Sequence, residues 1–237
     1  MGIRTSLALA AAAVVVAIAP AQASTFIFEK SNAGGNTAVG QHSYIKTTYD
    51  DVSEVLTWSS TFTRNSNNGK LADGAWLVLS DGDNPKGDAD EYAIFYLDGL
   101  TDKVSIYNYN GKNKNDSYIA ETYLGSTALT VTNNGTNERT FEFSIDATAI
   151  NSDPRFNPAT WKGVGFAEQV GIWFHGVNDP TITYDANGLS EFSYTAGNSG
   201  WYDTSFKDTT RVPEPGSIAA LGLFAATAVT GLRKRLG

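Results

Sequence analysis

The chain has no cysteine, only two histidines and a single methionine in 237 residues. Without cysteine there can be no disulfide, thiolate zinc site, iron–sulfur cluster or cysteine nucleophile, so the packed core must carry stability alone. The histidines, His42 and His175, are far apart in sequence. That excludes an H-E-x-x-H protease and a histidine-rich metal site. A Ser-His-Asp arrangement would need one of them, and no serine stands in a nucleophile-elbow pattern. His175 follows the run Ile172-Trp173-Phe174 and reads as a packing histidine at a strand end. Long helical periodicity is also missing. The exceptions are short stretches near Asp146 to Ile150 or Pro158 to Trp161, which read as single helical turns.

Positive charge is scarce. The whole chain carries 17 Lys+Arg against 25 Asp+Glu, a net charge of −8. Four of the basic residues (Arg4, Arg233, Lys234, Arg235) and one acidic residue (Glu214) lie in the two ends. Ser24 to Val212, 189 residues, therefore keeps 13 basic and 24 acidic residues, net −11. That sign argues against binding nucleic acid or an anionic membrane through bulk charge. The length is ample for one sizeable core.

What the body does have is strand pattern. Leu56, Trp58, Ser60 and Phe62 alternate with Thr57, Ser59, Thr61 and Thr63, a period of two. Trp76-Leu-Val-Leu79 and Ala93-Ile-Phe-Tyr-Leu97 are short apolar runs of the kind buried on both faces. Val104 and Ile106, then Phe141, Phe143 and Ile145, alternate again, and Gly163 to Phe166 with Val170 to Phe174 reads as a further pair. Thr181 to Tyr184 and Phe192 to Tyr194 close the series. Between them stand turn dipeptides such as Asp73-Gly74, Asp81-Gly82, Asp98-Gly99, Asn110-Gly111 and Asn187-Gly188. The pattern predicts one all-β domain over 24–196, an antiparallel β-sandwich or jelly roll. Residues 197–211, rich in Gly, Ser, Thr and Asp, read as a tether.

Both ends carry export signals. Arg4, the uncharged apolar segment Leu7 to Ala19, and Ala21-Gln22-Ala23 with its small residues make residues 1–23 a secretory signal peptide, cleaved between Ala23 and Ser24. At the other end Pro213-Glu214-Pro215 precedes the uncharged stretch Gly216 to Leu232, and Arg233-Lys234-Arg235 follows. Seventeen helical residues would span about 25 Å, the short end of what a bilayer core requires. Cations after an apolar span stay on the cytoplasmic side, so the body would lie outside. The order of motif, apolar helix and basic tail in 212–237 resembles the PEP-CTERM sorting signal of Gram-negative bacteria. The resemblance implies recognition of Pro213, Glu214 and Pro215 by a membrane-embedded exosortase, with removal of the tail near the motif. A plain C-terminal membrane anchor is the alternative. Trp76-Leu-Val-Leu-Ser80, Asn84-Pro-Lys-Gly87 and Tyr107-Asn-Tyr-Asn-Gly-Lys-Asn113 are similar to segments in bodies of other PEP-CTERM proteins.

Two groups of body residues could bind something. Asp81 to Glu91 packs five carboxylates into a loop between two predicted strands. Calcium takes six to eight oxygens, which makes Asp81, Asp83, Asp88 and Asp90 candidate ligands, with Glu91 next. The order is not that of an EF-hand, and a solvated acidic loop is the plainer alternative. Tyr107, Tyr109 and Tyr118 flank a polar loop and could form a stacking platform for sugar rings, if they are exposed. Otherwise they are ordinary strand tyrosines. The E-x-D-x-x-E strand of one large family of sandwich glycosidases is absent. The expectation is therefore a non-catalytic structural or adhesive protein of the cell surface or exopolysaccharide matrix. The alternative is a secreted carbohydrate-binding or carbohydrate-active protein.

Overall fold

The computed structural model describes residues 24–34, 38–82, 89–112, 117–194 and 200–213. The chain opens with β1 (Ser24–Gly34), β2 (Gln41–Asp50) and β3 (Val55–Thr63), a meander. It crosses to a second sheet for β4 (Gly74–Ser80), β5 (Ala93–Asp98), β6 (Lys103–Tyr109) and β7 (Tyr118–Ala128). It returns for β8 (Thr130–Asn134) and β9 (Glu138–Asp146), makes the single helical turn α1 (Thr148–Asn151), and continues into β10 (Gln169–Val177). A hairpin of β11 (Pro180–Asp185) and β12 (Gly188–Tyr194) precedes β13 (Gly200–Asp208) and β14 (Thr210–Pro213). The first sheet has the order β14-β1-β2-β3-β9-β8 and the second β13-β10-β4-β5-β6-β7. Every pairing of these strands is antiparallel.

The two sheets share one core, so the body is sandwich-like. Leu56, Trp58 and Phe62 of β3 and Phe141 and Phe143 of β9 meet Leu77, Phe95, Ile106 and Phe174 of the second sheet. Trp58 stacks on Phe174 at 5.7 Å between centroids, and Phe95 lies 5.4 Å from Phe143. The indole N–H of Trp58 donates to Ser60 Oγ at 3.1 Å, which explains the buried serine in an apolar row. The opposite face of the first sheet is a hydroxyl surface, with Thr48 against Thr57 at 2.6 Å and Thr61 against Thr140 at 2.9 Å.

The second sheet is covered twice. Trp76, Val78, Ile94, Tyr96, Tyr107, Tyr109, Trp173 and Val177 point away from the shared core, yet all are buried. Ile182, Tyr184, Leu189, Phe192 and Tyr194 of the β11–β12 hairpin pack over them. This third layer is why β4 and β5 read as unbroken apolar runs: both faces are dry. Asp98 anchors it from the β5–β6 turn. It accepts the Leu100 amide at 2.9 Å, the Thr101 hydroxyl at 2.6 Å and the Tyr184 hydroxyl at 2.7 Å. Asp73 ties all three layers. It takes Arg139 Nη1 of β9 at 2.7 Å, Asn178 Nδ2 at 2.6 Å and the Asp179 amide at 2.8 Å.

Two expectations from sequence are corrected. Residues 163–166 are not a strand: Gly163 makes only an isolated bridge to Tyr92. The amides of Lys162 and Gly163 both donate to the Glu91 carbonyl, and Gly163 has φ +62, so the chain turns where the side-chain pattern looks extended. Within the expected tether 197–211, residues 200–208 and 210–211 are strand, the latter as part of β14 (Thr210–Pro213). They complete the edges of the two sheets on β10 and β1. Backbone ladders need only amide and carbonyl groups, so a polar, small-residue composition does not forbid them.

Gly188 shows how tightly the hairpin docks. Its φ is +96, and a Cβ there would meet the Tyr107 hydroxyl and, at 2.8 Å, the Tyr123 ring. Gly188→Ala is expected to cost about 1–3 kcal/mol in urea unfolding. It should also speed amide hydrogen exchange in β11–β12 while leaving β2 and β3 unchanged.

Candidate functional site

The three tyrosines proposed for sugar stacking are strand residues of the outer aromatic layer. Tyr107 and Tyr109 are fully buried, and Tyr118 is half-buried. The Tyr107 hydroxyl accepts the Leu189 amide at 2.5 Å. Tyr118 stacks on Trp76 at 5.0 Å and tilts against Tyr107 at 4.8 Å. Burial pushes the Tyr107 phenol up to about 12 and raises that of Tyr118. Tyr107 and Tyr109 thus present no face to solvent, which corrects the platform reading at those two positions. Their period-two spacing puts them on the outer face, and the hairpin covers that face. Trp76 Nε1 and the Tyr96 hydroxyl are buried there without a hydrogen-bond partner among the described residues, a cost the layer carries.

Both histidines are inside. His42 lies between Phe62 at 4.1 Å and Phe174 at 4.7 Å. His175 sits edge-on to Trp173 and Tyr194, its Nε2 3.5 Å from the Tyr194 hydroxyl. Burial drives His42 down to about 3 and His175 down to about 4. Neither imidazole is positioned at the surface.

Of the four proposed calcium ligands, Asp83 and Asp88 lie outside the described residues. Asp81 and Asp90 are exposed at the two ends of the loop. Asp81 accepts the Ala167 amide at 3.1 Å. Asp90 accepts Asn108 Nδ2 at 2.8 Å and adopts φ +64, while its own amide donates to the Tyr109 carbonyl. Both carboxylates therefore hold loop geometry. Among the described residues no three His, Asp or Glu side chains converge to hold a metal ion. Glu91, next in line, pairs with Lys162 Nζ at 2.8 Å. A surface hollow of about 810 Å³ beside Asp81 and Gly82 is lined by Glu168, Gln169, Asp208, Thr209 and Arg211.

The two predicted processing points meet at one place. Ala23, Glu214, Pro215, Arg233, Lys234 and Arg235 lie outside the described residues, but Ser24 and Pro213 are in the sheet. β14 pairs with β1 so that Ser24 stands opposite Pro213, Thr25 opposite Val212 and Phe26 opposite Arg211. The Ser24 amide donates to Asp51 Oδ1 at 2.8 Å, and the Asp51 amide returns a bond to the Ser24 carbonyl at 3.2 Å. Arg211 Nε donates to Ser24 Oγ at 2.7 Å, and the Thr25 hydroxyl donates to Asp50 Oδ2 at 3.2 Å. Residues 187 positions apart thus share one cluster, and no local signal in the sequence announces it. Comparison with protein-family models, with curated proteins and with solved structures finds no match for this chain.

The histidines make acid sensitivity predictable. Both have folded values below the ordinary unfolded value of about 6.5, so the unfolded chain takes up protons first. Their contribution is complete above pH ~6.5 and is lost as pH falls toward about 4 for His175 and about 3 for His42. Each can contribute a slope of up to about 1.4 kcal/mol per pH unit inside that window. Urea unfolding between pH 7 and 4.5 should show this loss, with a shallower slope in His175→Gln.

Proposed function

We propose that this chain is an exported protein of the cell surface or extracellular matrix. Its C-terminal segment acts as a PEP-CTERM-type sorting signal, and its three-layer β body has a structural or adhesive role without catalysis. The N-terminal signal leads the chain across the membrane, and the apolar stretch before Arg233, Lys234 and Arg235 halts it there. Pro213, Glu214 and Pro215 form the element that an exosortase-type enzyme reads. Proline fixes φ and biases the residue before it toward extended backbone, so the motif suits recognition as an extended strand.

The observation that supports this reading best is the pairing of Ser24 with Pro213. Among the described strands, β1 starts at the residue after the expected leader and β14 ends at the first residue of the motif. A processing enzyme at either point would leave both sheets whole. The carbohydrate-binding alternative loses Tyr107 and Tyr109, which have no free face. The acidic body also disfavours adhesion to anionic surfaces through charge alone.

A variant ending at Pro213 tests the reading. It should be exported and folded but be missing from the cell-surface and matrix fractions that hold the full chain. Equal amounts of both forms in those fractions would refute the sorting role.

A further inference from the structure

The reading above cuts the chain between Ala23 and Ser24, and the following inference rests on it. Hydrolysis of that amide by water leaves a carboxylate on Ala23 and an ammonium on Ser24. We propose that Asp51, Asp50 and Arg211 form a receptor for this new α-ammonium group, so that leader removal locks the strand that carries the C-terminal motif.

The geometry is that of a terminus-binding site. Asp51 grips Ser24 from both sides, its carboxylate on the nitrogen at 2.8 Å and its amide on the carbonyl at 3.2 Å. Arg211 of β14 holds Ser24 Oγ at 2.7 Å, so both ends of the body are joined through one residue. Ser24 is fully buried in this arrangement.

The charge count favours an ammonium. Among the described residues, the charged side chains hydrogen-bonded at this end of β1 are Asp50 and Asp51, from the end of β2 and the turn after it, and Arg211 from β14. Among these three described groups, two carboxylates and one guanidinium leave one negative charge over. A backbone amide at Ser24 supplies a donor but no charge. An ammonium supplies the same donor and the missing charge, and charge-assisted bonds of this kind are about twice as strong as neutral ones. Asp50 remains ionised at neutral pH, because the amide and hydroxyl of Ser53 hold its carboxyl below the usual range.

The consequence falls on β14. Its four residues are all exposed, and among the described residues it is an edge strand paired only with β1. Few contacts retain it, so a clasp at Ser24 and Arg211 has leverage on whether Pro213 stays in the sheet.

The test uses the full chain with its own leader, purified after export, with the N-terminus read by mass spectrometry. Wild type and Asp51→Asn are melted between pH 6 and pH 10. Asparagine keeps an oxygen for the Ser24 nitrogen and loses only the charge. Wild type should begin at Ser24 and melt about 2–4 °C above Asp51→Asn at pH 7, the shift that ~1 kcal/mol gives in a domain of this size. The paired amine has its folded value raised above the ordinary 7.7–8.0 or so. Its stabilisation is therefore complete below that range and lost as pH rises through the folded value, and the gap should close by pH 10. Periodate, which converts an N-terminal serine to a glyoxylyl group, removes the ammonium and the Ser24 hydroxyl together, so it should lower wild type at pH 7 at least to the level of Asp51→Asn. Asp51→Asn, which has already lost the charge pairing, should fall by less than wild type, because it loses only the Arg211–Ser24 Oγ bond. A chain that starts elsewhere overturns both the cleavage reading and the receptor. A chain that starts at Ser24 but shows no gap, or a gap constant to pH 10, overturns the receptor alone.

Discussion

Burial of the second sheet on both faces is the constraint from which the rest of the architecture follows. One face of β4, β5 and β10 meets the first sheet through Leu77, Phe95 and Phe174, and the other lies under the β11–β12 hairpin through Trp76, Tyr96 and Trp173. A sheet covered this way cannot use solvent for its polar groups, so nearly every polar atom must be matched inside the fold. Asp98 and Asp73 do that work where the layers meet, collecting donors from turns, from the hairpin and from β9. A chain without cysteine gains from such a design, because aromatic layers replace covalent staples.

The same constraint decides what was legible in the sequence. The alternation from Leu56 to Phe62 and the continuous runs at Trp76 and Ala93 correctly indicate one sheet with a single dry face and one with two. Those patterns are local, and local patterns survive without a structure. The tyrosines at 107 and 109 failed as a platform because their exposure depends on a hairpin some eighty residues downstream. Residues 163–166 mimic a strand by composition, yet glycine backbone angles turn the chain there. Residues 197–211 look like a linker, yet 200–208 and 210–211 lie in edge strands, since small polar side chains say nothing about strands held by backbone bonds. The cluster of Ser24, Asp51 and Arg211 was invisible for the same reason: only topology brings the two ends together.

The function proposed here rests on the ends more than on the middle. The outer aromatic layer is inward-facing and serves packing, and Asp81 and Asp90 hold loop geometry. The edge formed by β1 and β14 is different, because it joins the two points at which the sequence predicts processing. In this account the body is an acidic cargo in which Ser24 and Pro213 stand side by side. Cleavage at either point would leave all the described strands intact, and by the proposal above N-terminal cleavage strengthens the edge it exposes.

The intact mass of the protein isolated from its native cell tests this directly. The account predicts a species that starts at Ser24 and ends close to Pro213, with or without an attached group at the new C-terminus. A mass equal to all 237 residues, or a species lacking the leader but keeping Arg233, Lys234 and Arg235, would contradict it.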